Sequence, residues 1–275
     1  MGAAIGFDLG LVVVWTVLTG ASLAATVALE RLGLGWAPEW VRLFFAPVWG
    51  LVFLSVMMLV SGALRALAGP LVPGNYPFPE HPMAKRWGFH LLNQRVVLWG
   101  PYRELIFSWH ALRTLYFWTV RGKAAFDMKT GANTLVLDAP LMRFGKGSMV
   151  ASNTLVAGHF VEGGELRLGH VDIQAGAQVM GFCQIGPHVT IEADAVIGPS
   201  SALIRNVRIG SGAYLGAGCV CSPGVDVGAD AVVGHSVVME ANVKIGEGAV
   251  VASYARLSEG TVVAPFSKYR AEPKP

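Results

Sequence analysis

The sequence predicts a parallel β-helix of hexapeptides, preceded by a hydrophobic helical hairpin. Three observations carry this expectation. A six-residue period runs unbroken through the second half of the chain, and two long uncharged stretches lie near the N-terminus. Of the 275 residues, 53% are hydrophobic and only 14% charged, with a mean hydropathy of +0.50. So little charge points to membrane segments, and the net charge of +3 gives no reason to expect a nucleic-acid partner.

The period is read from Ile173 in steps of six: Ile173, Val179, Ile185, Ile191, Ile197, Leu203, Ile209, Leu215, Cys221, Val227, Val233, Met239, Ile245, Val251, Leu257 and Val263. Two residues before each stands a small or β-branched residue, such as Ala177, Ala195, Ala213 or Ala249. Gly often follows directly, and Gly, Asn or Asp often comes three residues after. Residues two apart on a strand share a face, so the aliphatic and the small residue both point into a tube. Gly, Asn and Asp tolerate the left-handed backbone of tight bends. A short strand and a bend in every six residues is the signature of a hexapeptide β-helix, with three hexapeptides to a coil. Cys183, Cys219 and Cys221 all fall on inward positions and are expected as small core residues in a reducing compartment.

Leu9 to Leu29 and Leu43 to Leu64 contain no charged residue. Each has the roughly 20 residues that span a bilayer. The first lacks a basic leader and a clear cleavage site, which argues against a signal peptide. Trp36 and Trp40 in the connector suit a headgroup interface. Arg65, Lys85, Arg86 and Arg95 follow the second span. The basic excess after the hairpin predicts a bacterial inner-membrane anchor with the β-helix on the cytoplasmic side. Residues 1–70 are thus read as the anchor.

Gly69 to Gly74 is a breaker. The segment 71–134 is read as a connector of amphipathic helices lying in the interface, with Leu105, Trp109, Leu112 and Tyr116 on one helical face. His90 and His110 within it are expected to be interfacial. The repeat is expected from residue 135 to 265, with a tail at 266–275. Phe144, Val150 and Val156 start hexapeptides in register with one another. From Val156 to Ile173 is 17 residues rather than 18, so a loop must interrupt the spiral within 157–170. If one hexapeptide step separates the two, Ile185 lies one coil above Val156, and His159 and His188 would meet at one corner. If two steps do, Phe182 takes that place.

Ile209-Gly210-Ser211-Gly212-Ala213 and Ile245-Gly246-Glu247-Gly248-Ala249 resemble the repeat of the hexapeptide-repeat acyltransferase superfamily. The resemblance implies a left-handed coil, an acyl-CoA co-substrate such as acetyl-CoA, and assembly into a homotrimer through exposed coil faces. A narrower likeness rests on Pro73-Gly74-Asn75-Tyr76-Pro77, on Ser152-Asn153 and on His159-Phe160-Val161-Glu162. These are similar to the membrane-anchored acyltransferase-like modules at the C-terminus of ε-poly-lysine-type nonribosomal peptide synthetases. That family's loop usually reads His-x-Phe-Glu-Asp, from which this chain departs. Many acetyltransferases of this fold end in Gly-x-Pro-Ala; here Val263-Ala264-Pro265-Phe266 stands instead, which leaves a carrier-protein thioester open as the donor.

The uninterrupted hexapeptides leave no protruding loop after residue 171, so chemistry is expected at 157–170 or on a wall of the prism. Acyl transfer needs a base to take a proton from the attacking hydroxyl or amine. Histidine suits that task near neutral pH, and a carboxylate on its second nitrogen would orient it. The resemblance places the catalytic histidine in such a loop, and His159 matches it. Glu162 is the nearest carboxylate in sequence. Asn153, His170 and His188 are the candidate substrate- or cofactor-binding residues. No metal is expected: the γ-class carbonic anhydrases share this fold, but two of their three zinc histidines are typically five apart, and His159, His170, His188 and His235 contain no such pair. A Gly-x-Ser-x-Gly elbow is absent. The expected function is therefore acyl transfer from a thioester to a lipid-linked or small-molecule acceptor, an envelope or secondary-metabolite precursor. Amide formation in peptide synthesis and a non-catalytic assembly module are the alternatives.

Overall fold

A computed structural model describes residues 2–270. The chain divides into two compact units: Met1–Pro70 with Lys85–Arg121, and Leu71–Ala84 with Gly122–Pro275.

The first unit is helical. Helix α1 (Gly2–Leu34) and helix α3 (Ala46–Ala68) flank a short helix α2 (Glu39–Phe44). Val12–Gly33 and Ala46–Ala68 are each long and apolar enough to cross a membrane. The second stretch starts later than its first uncharged residue, Leu43. A proline in the first turn of α3 sets the break, since its missing N–H has no helical partner there anyway. Arg42 Nε lies 2.5 Å from Glu30 Oε1 and ties the end of α1 to α2. Trp36 and Trp40 stay open, 81% and 72% exposed.

Within the segment 71–134, the helices are divided differently from the single face expected. After α4 (Pro82–Val97) come α5 (Gly100–Ser108) and α6 (His110–Thr119). Trp109 is extended between the last two, so Leu105 and Trp109 do not continue the face of Leu112 and Tyr116. The first two are exposed and the last two buried. Helix α6 packs on α3 at Gly62, where a Cβ would come within 2.7 Å of the Thr119 carbonyl. His90 is buried rather than interfacial, its Nε2 3.0 Å from the Gly69 carbonyl.

The second unit is the parallel β-helix that the hexapeptide period predicts. It begins before residue 135: β2 (Lys123–Ala124), β3 (Lys129–Thr130) and β4 (Leu135–Leu137) form the first coil. They pair in parallel with β5 (Met142–Phe144), β6 (Met149–Val150) and β7 (Leu155–Ala157) of the second. The stack continues as three sheets of eight, eight and seven strands. Its last strand, Lys268–Tyr269, lies inside the expected tail and pairs with Val250–Val251.

All sixteen period positions are buried, none more than 5% exposed. Each aliphatic side chain removed from water contributes roughly 1.5–3 kcal/mol. The three cysteines are buried on the inward face, and burial pushes each thiol upward from its ordinary range. All three are thus expected to resist iodoacetamide at neutral pH in the folded protein and to react on denaturation; mass spectrometry would count the adducts.

The glycines one after the period position and the residues three after it have different causes. At Gly210 a Cβ would meet Ala229 N at 2.5 Å, so the next coil's backbone excludes any side chain. Three after the period position, every residue from Gly176 to Phe266 has positive φ, including Phe182, His188, Tyr254 and Phe266. A non-glycine residue there costs about 1–2 kcal/mol. Tyr254 is 79% exposed at φ 63°. Tyr254→Asn is expected to raise unfolding free energy by about 0.5–1 kcal/mol, measured by chemical denaturation.

The register break is a β-hairpin. The chain leaves the coil after Gly158, runs through β8 (His159–Glu162) and β9 (Glu165–Leu168), and returns at Gly169, whose N–H donates to the Gly158 carbonyl at 2.9 Å. Strand β1 (Gly74–Pro77), read from sequence as part of the helical connector, pairs antiparallel with β9. Val156 pairs with Ile185, so a single hexapeptide step is bridged. From Val171 paired with Val189, the residue one coil below His188 is His170, not His159.

Candidate functional site

The in-register pairing of β4 with β7 builds the site. Leu135 lies beside Leu155, Val136 beside Val156 and Leu137 beside Ala157. The two strands therefore leave the coil side by side, one through Asp138 and the other through Gly158 and His159. Asp138 turns the chain with φ 58° into a short helical turn, Ala139–Leu141. Its carboxylate is 2% exposed and lies 2.5 Å, Oδ2 to Nδ1, from His159. Asp138 thus engages Nδ1 of the ring, and Nε2 is the second ring nitrogen.

His159 forms part of the wall of a groove of about 480 Å³ on the outside of the coil stack. Leu155, Gln184 and Ala202, one from each of three successive coils, form its floor, and Leu137 and Ala157 lie at its start. Phe160 and Val161 of the hairpin form its flank. From Leu137 on the first coil to Ala202 on the fourth, the floor runs about 14 Å at the strand spacing. Apolar side chains dominate this lining.

Glu162 is not the carboxylate on His159. Alternate residues of a strand face opposite sides, and Glu162 is three on from His159 in β8. Its side chain is 55% exposed and pairs with Arg205 at 2.9 Å. His170 Nδ1 lies 3.2 Å from the Leu141 carbonyl at the other foot of the hairpin. His188 is packed over Gly169, where a Cβ would come within 2.4 Å of its ring. Asn153 is exposed at a different corner with φ 58°, its N–H on the Ala132 carbonyl. Neither His170, His188 nor Asn153 lines the groove. Asp138 has no counterpart in the sequence reading. Its signal lay in the repeat itself: Leu-Val-Leu-Asp stands one coil before Leu-Val-Ala-Gly-His.

A hexapeptide β-helix bearing a His–Asp pair on an apolar groove is the class that fold and site define. Residues 188–223 match the family described as bacterial transferase hexapeptide (six repeats). No curated protein sequence matches the chain. Among solved structures it is similar to the acetyltransferase domain of PglB from Neisseria gonorrhoeae in complex with acetyl coenzyme A, at 18% identity and a TM-score of 0.33, over 57% of this chain and 63% of that one. It is also similar to AntD, an N-acyltransferase from Bacillus cereus in complex with dTDP and coenzyme A, at 12% identity and a TM-score of 0.35, over 54% and 77%. LpxA, the UDP-N-acetylglucosamine O-acyltransferase of Moraxella catarrhalis, matches at 15% identity and a TM-score of 0.27, over 50% and 62%.

Proposed function

We propose that the chain is a membrane-anchored acyltransferase, moving an acyl group from acyl-CoA to a hydroxyl or amine. The observation that carries this reading is the His159–Asp138 pair on the wall of an apolar groove. His159 Nε2 takes the proton of the acceptor as its oxygen or nitrogen attacks the thioester carbonyl. Asp138 steadies the imidazolium that forms. As the tetrahedral intermediate collapses, the C–S bond breaks and His159 returns the proton to the leaving thiolate. The products are an ester or amide and the free thiol. The groove takes the acyl chain of the donor or the apolar part of the acceptor.

The two apolar helices support an anchor. Arg65 in the last turn of the second and Lys85, Arg86 and Arg95 after it support a cytoplasmic β-helix, where acyl-CoA is available. Tyr214, Val232 and Val250 are 41%, 44% and 37% exposed on successive coils of one face, which supports self-association there. The test is thiol release from acyl-CoA by the full chain in lipid nanodiscs, with hydroxyl and amine acceptors. Release that stops in His159→Ala is expected. Release only from a carrier-protein thioester would change the donor, and release from neither would overturn the reading.

A further inference from the structure

Across the corner from the groove lies a second, polar pocket of about 150 Å³, lined by Asn75, Arg167, Pro187, His188, Arg205 and Asn206. The two cavities are contiguous along the chain. Gly186 and Ile204 belong to the groove, and Pro187 and Arg205, the next residues, belong to the pocket. Phe160 flanks the groove while the Arg205 guanidinium sits over its ring, 5.8 Å from the centroid.

The hairpin and β1 assemble this pocket. Arg167 on β9 lies between Asn75 on β1 and Phe160 on β8, so one face of this small sheet presents an amide, a guanidinium and an aromatic ring. Arg205 and Asn206 come from the coil above His188. Two guanidinium groups, an imidazole and two amides line this space, which has room for a tetrahedral or planar oxyanion. Each arginine has one carboxylate partner, Arg205 with Glu162 at 2.9 Å and Arg167 with Glu165 at 3.1 Å. These leave donors over: Arg167 Nε is buried and makes no hydrogen bond. Arginine is the side chain suited to bidentate recognition of phosphate or carboxylate.

We infer that this pocket is an oxyanion subsite, holding a phosphate or carboxylate group of the molecule that reacts at His159. The assignment to a reacting molecule rests on the acyl-transfer reading; the anion binding itself does not. The pocket fixes the charged end of the ligand while the groove takes the apolar part, and His159 lies at the groove wall beside it. Glu162 and Glu165 face each other across the hairpin. Like charges opposite each other repel, and both carboxylates are about half exposed, so an arriving anion competes with weakly held partners for the two arginines.

The test uses the full chain and inorganic phosphate, read by the phosphorus NMR line width at constant ionic strength. Saturable broadening is expected. Arg167→Gln and Arg205→Gln should each weaken it by about tenfold or more, the size of a lost charge-assisted hydrogen bond. Glu165→Gln should tighten it several-fold by releasing Arg167. A purely structural role for the Glu165–Arg167 pair predicts no such gain, and this arm remains informative if the arginine variants fold poorly. Competition by diphosphate above acetate would mark a phosphorylated ligand, and competition by acetate equal to phosphate a carboxylate one. Non-saturable broadening, or broadening unchanged in the arginine variants, overturns the subsite. His159→Ala should bind phosphate like the wild type. Phosphate binding with undiminished thiol release in that variant would leave the subsite and sink His159 as the base; loss of both phosphate binding and thiol release would overturn the subsite and leave His159 in place.

Discussion

His159→Ala is expected to lower kcat for thiol release by about a hundred- to ten-thousand-fold, the usual contribution of a positioned general base. KM should change little, because the groove floor of Leu155, Gln184 and Ala202 remains. Asp138→Asn is the more discriminating variant. Its side chain keeps the volume and burial of the aspartate, so the fold should persist. The amide cannot stabilise an imidazolium as a carboxylate does. If its NH2 turns toward Nδ1, it also forces the ring proton onto Nε2, where the base must act. A loss comparable to that of His159→Ala is therefore expected, again in kcat. Glu162→Gln should stay within about twofold, since that carboxylate is an exposed partner of Arg205 and exposed pairs contribute little. Wild-type turnover in Asp138→Asn would remove Asp138 from the mechanism, and a large loss in Glu162→Gln would restore the carboxylate that the sequence order suggests.

The contrast between those two carboxylates shows what the sequence could express. The period from Ile173 to Val263 was legible because one constraint, an inward aliphatic in each short strand, acts at every step. The break within 157–170 was legible for the same reason, as a defect in a strict count. What filled the break was not. Read as an irregular loop, 157–170 makes Glu162 the neighbour of His159 by proximity along the chain. Folded as a hairpin, strand alternation turns Glu162 to the other face. Asp138 lies 21 residues before His159 and becomes its partner only through the pairing of Leu137 with Ala157. That pairing follows once the first coil is known to begin at Lys123. Lys123–Ala124 and Lys129–Thr130 are two-residue strands with no inward aliphatic signal. Asn75 and Tyr76 have the same character: β1 exists because the open edge of β9 needs hydrogen-bond partners, not because of any local preference.

Gly216→Ala is expected to have a large effect on stability. A Cβ at that position would lie 2.7 Å from both Gly234 C and His235 N. Both are backbone atoms of the next coil, so no side chain can rotate away. Coils of a solenoid touch only their neighbours, and the separation that relieves the clash must be taken from the hydrogen bonds on either side. Gly216 N–H to the Val233 carbonyl, at 2.8 Å, and Ser236 N–H to the Ala217 carbonyl, at 2.7 Å, are the first in its path. A loss of about 3 kcal/mol is expected, the upper end for overpacking a rigid site. Gly147→Ala provides the comparison. It has positive φ, 65°, but no atom within 4 Å of its Cβ, so it should cost about 1 kcal/mol from backbone conformation alone. Thermal unfolding followed by far-ultraviolet ellipticity would rank the two. Limited proteolysis should show new cleavage near residues 216–235 in the first variant only. A Gly216→Ala protein that unfolds at the wild-type temperature would mean the coils can part locally at little cost, and the wall that holds His159 would then be softer than its packing implies.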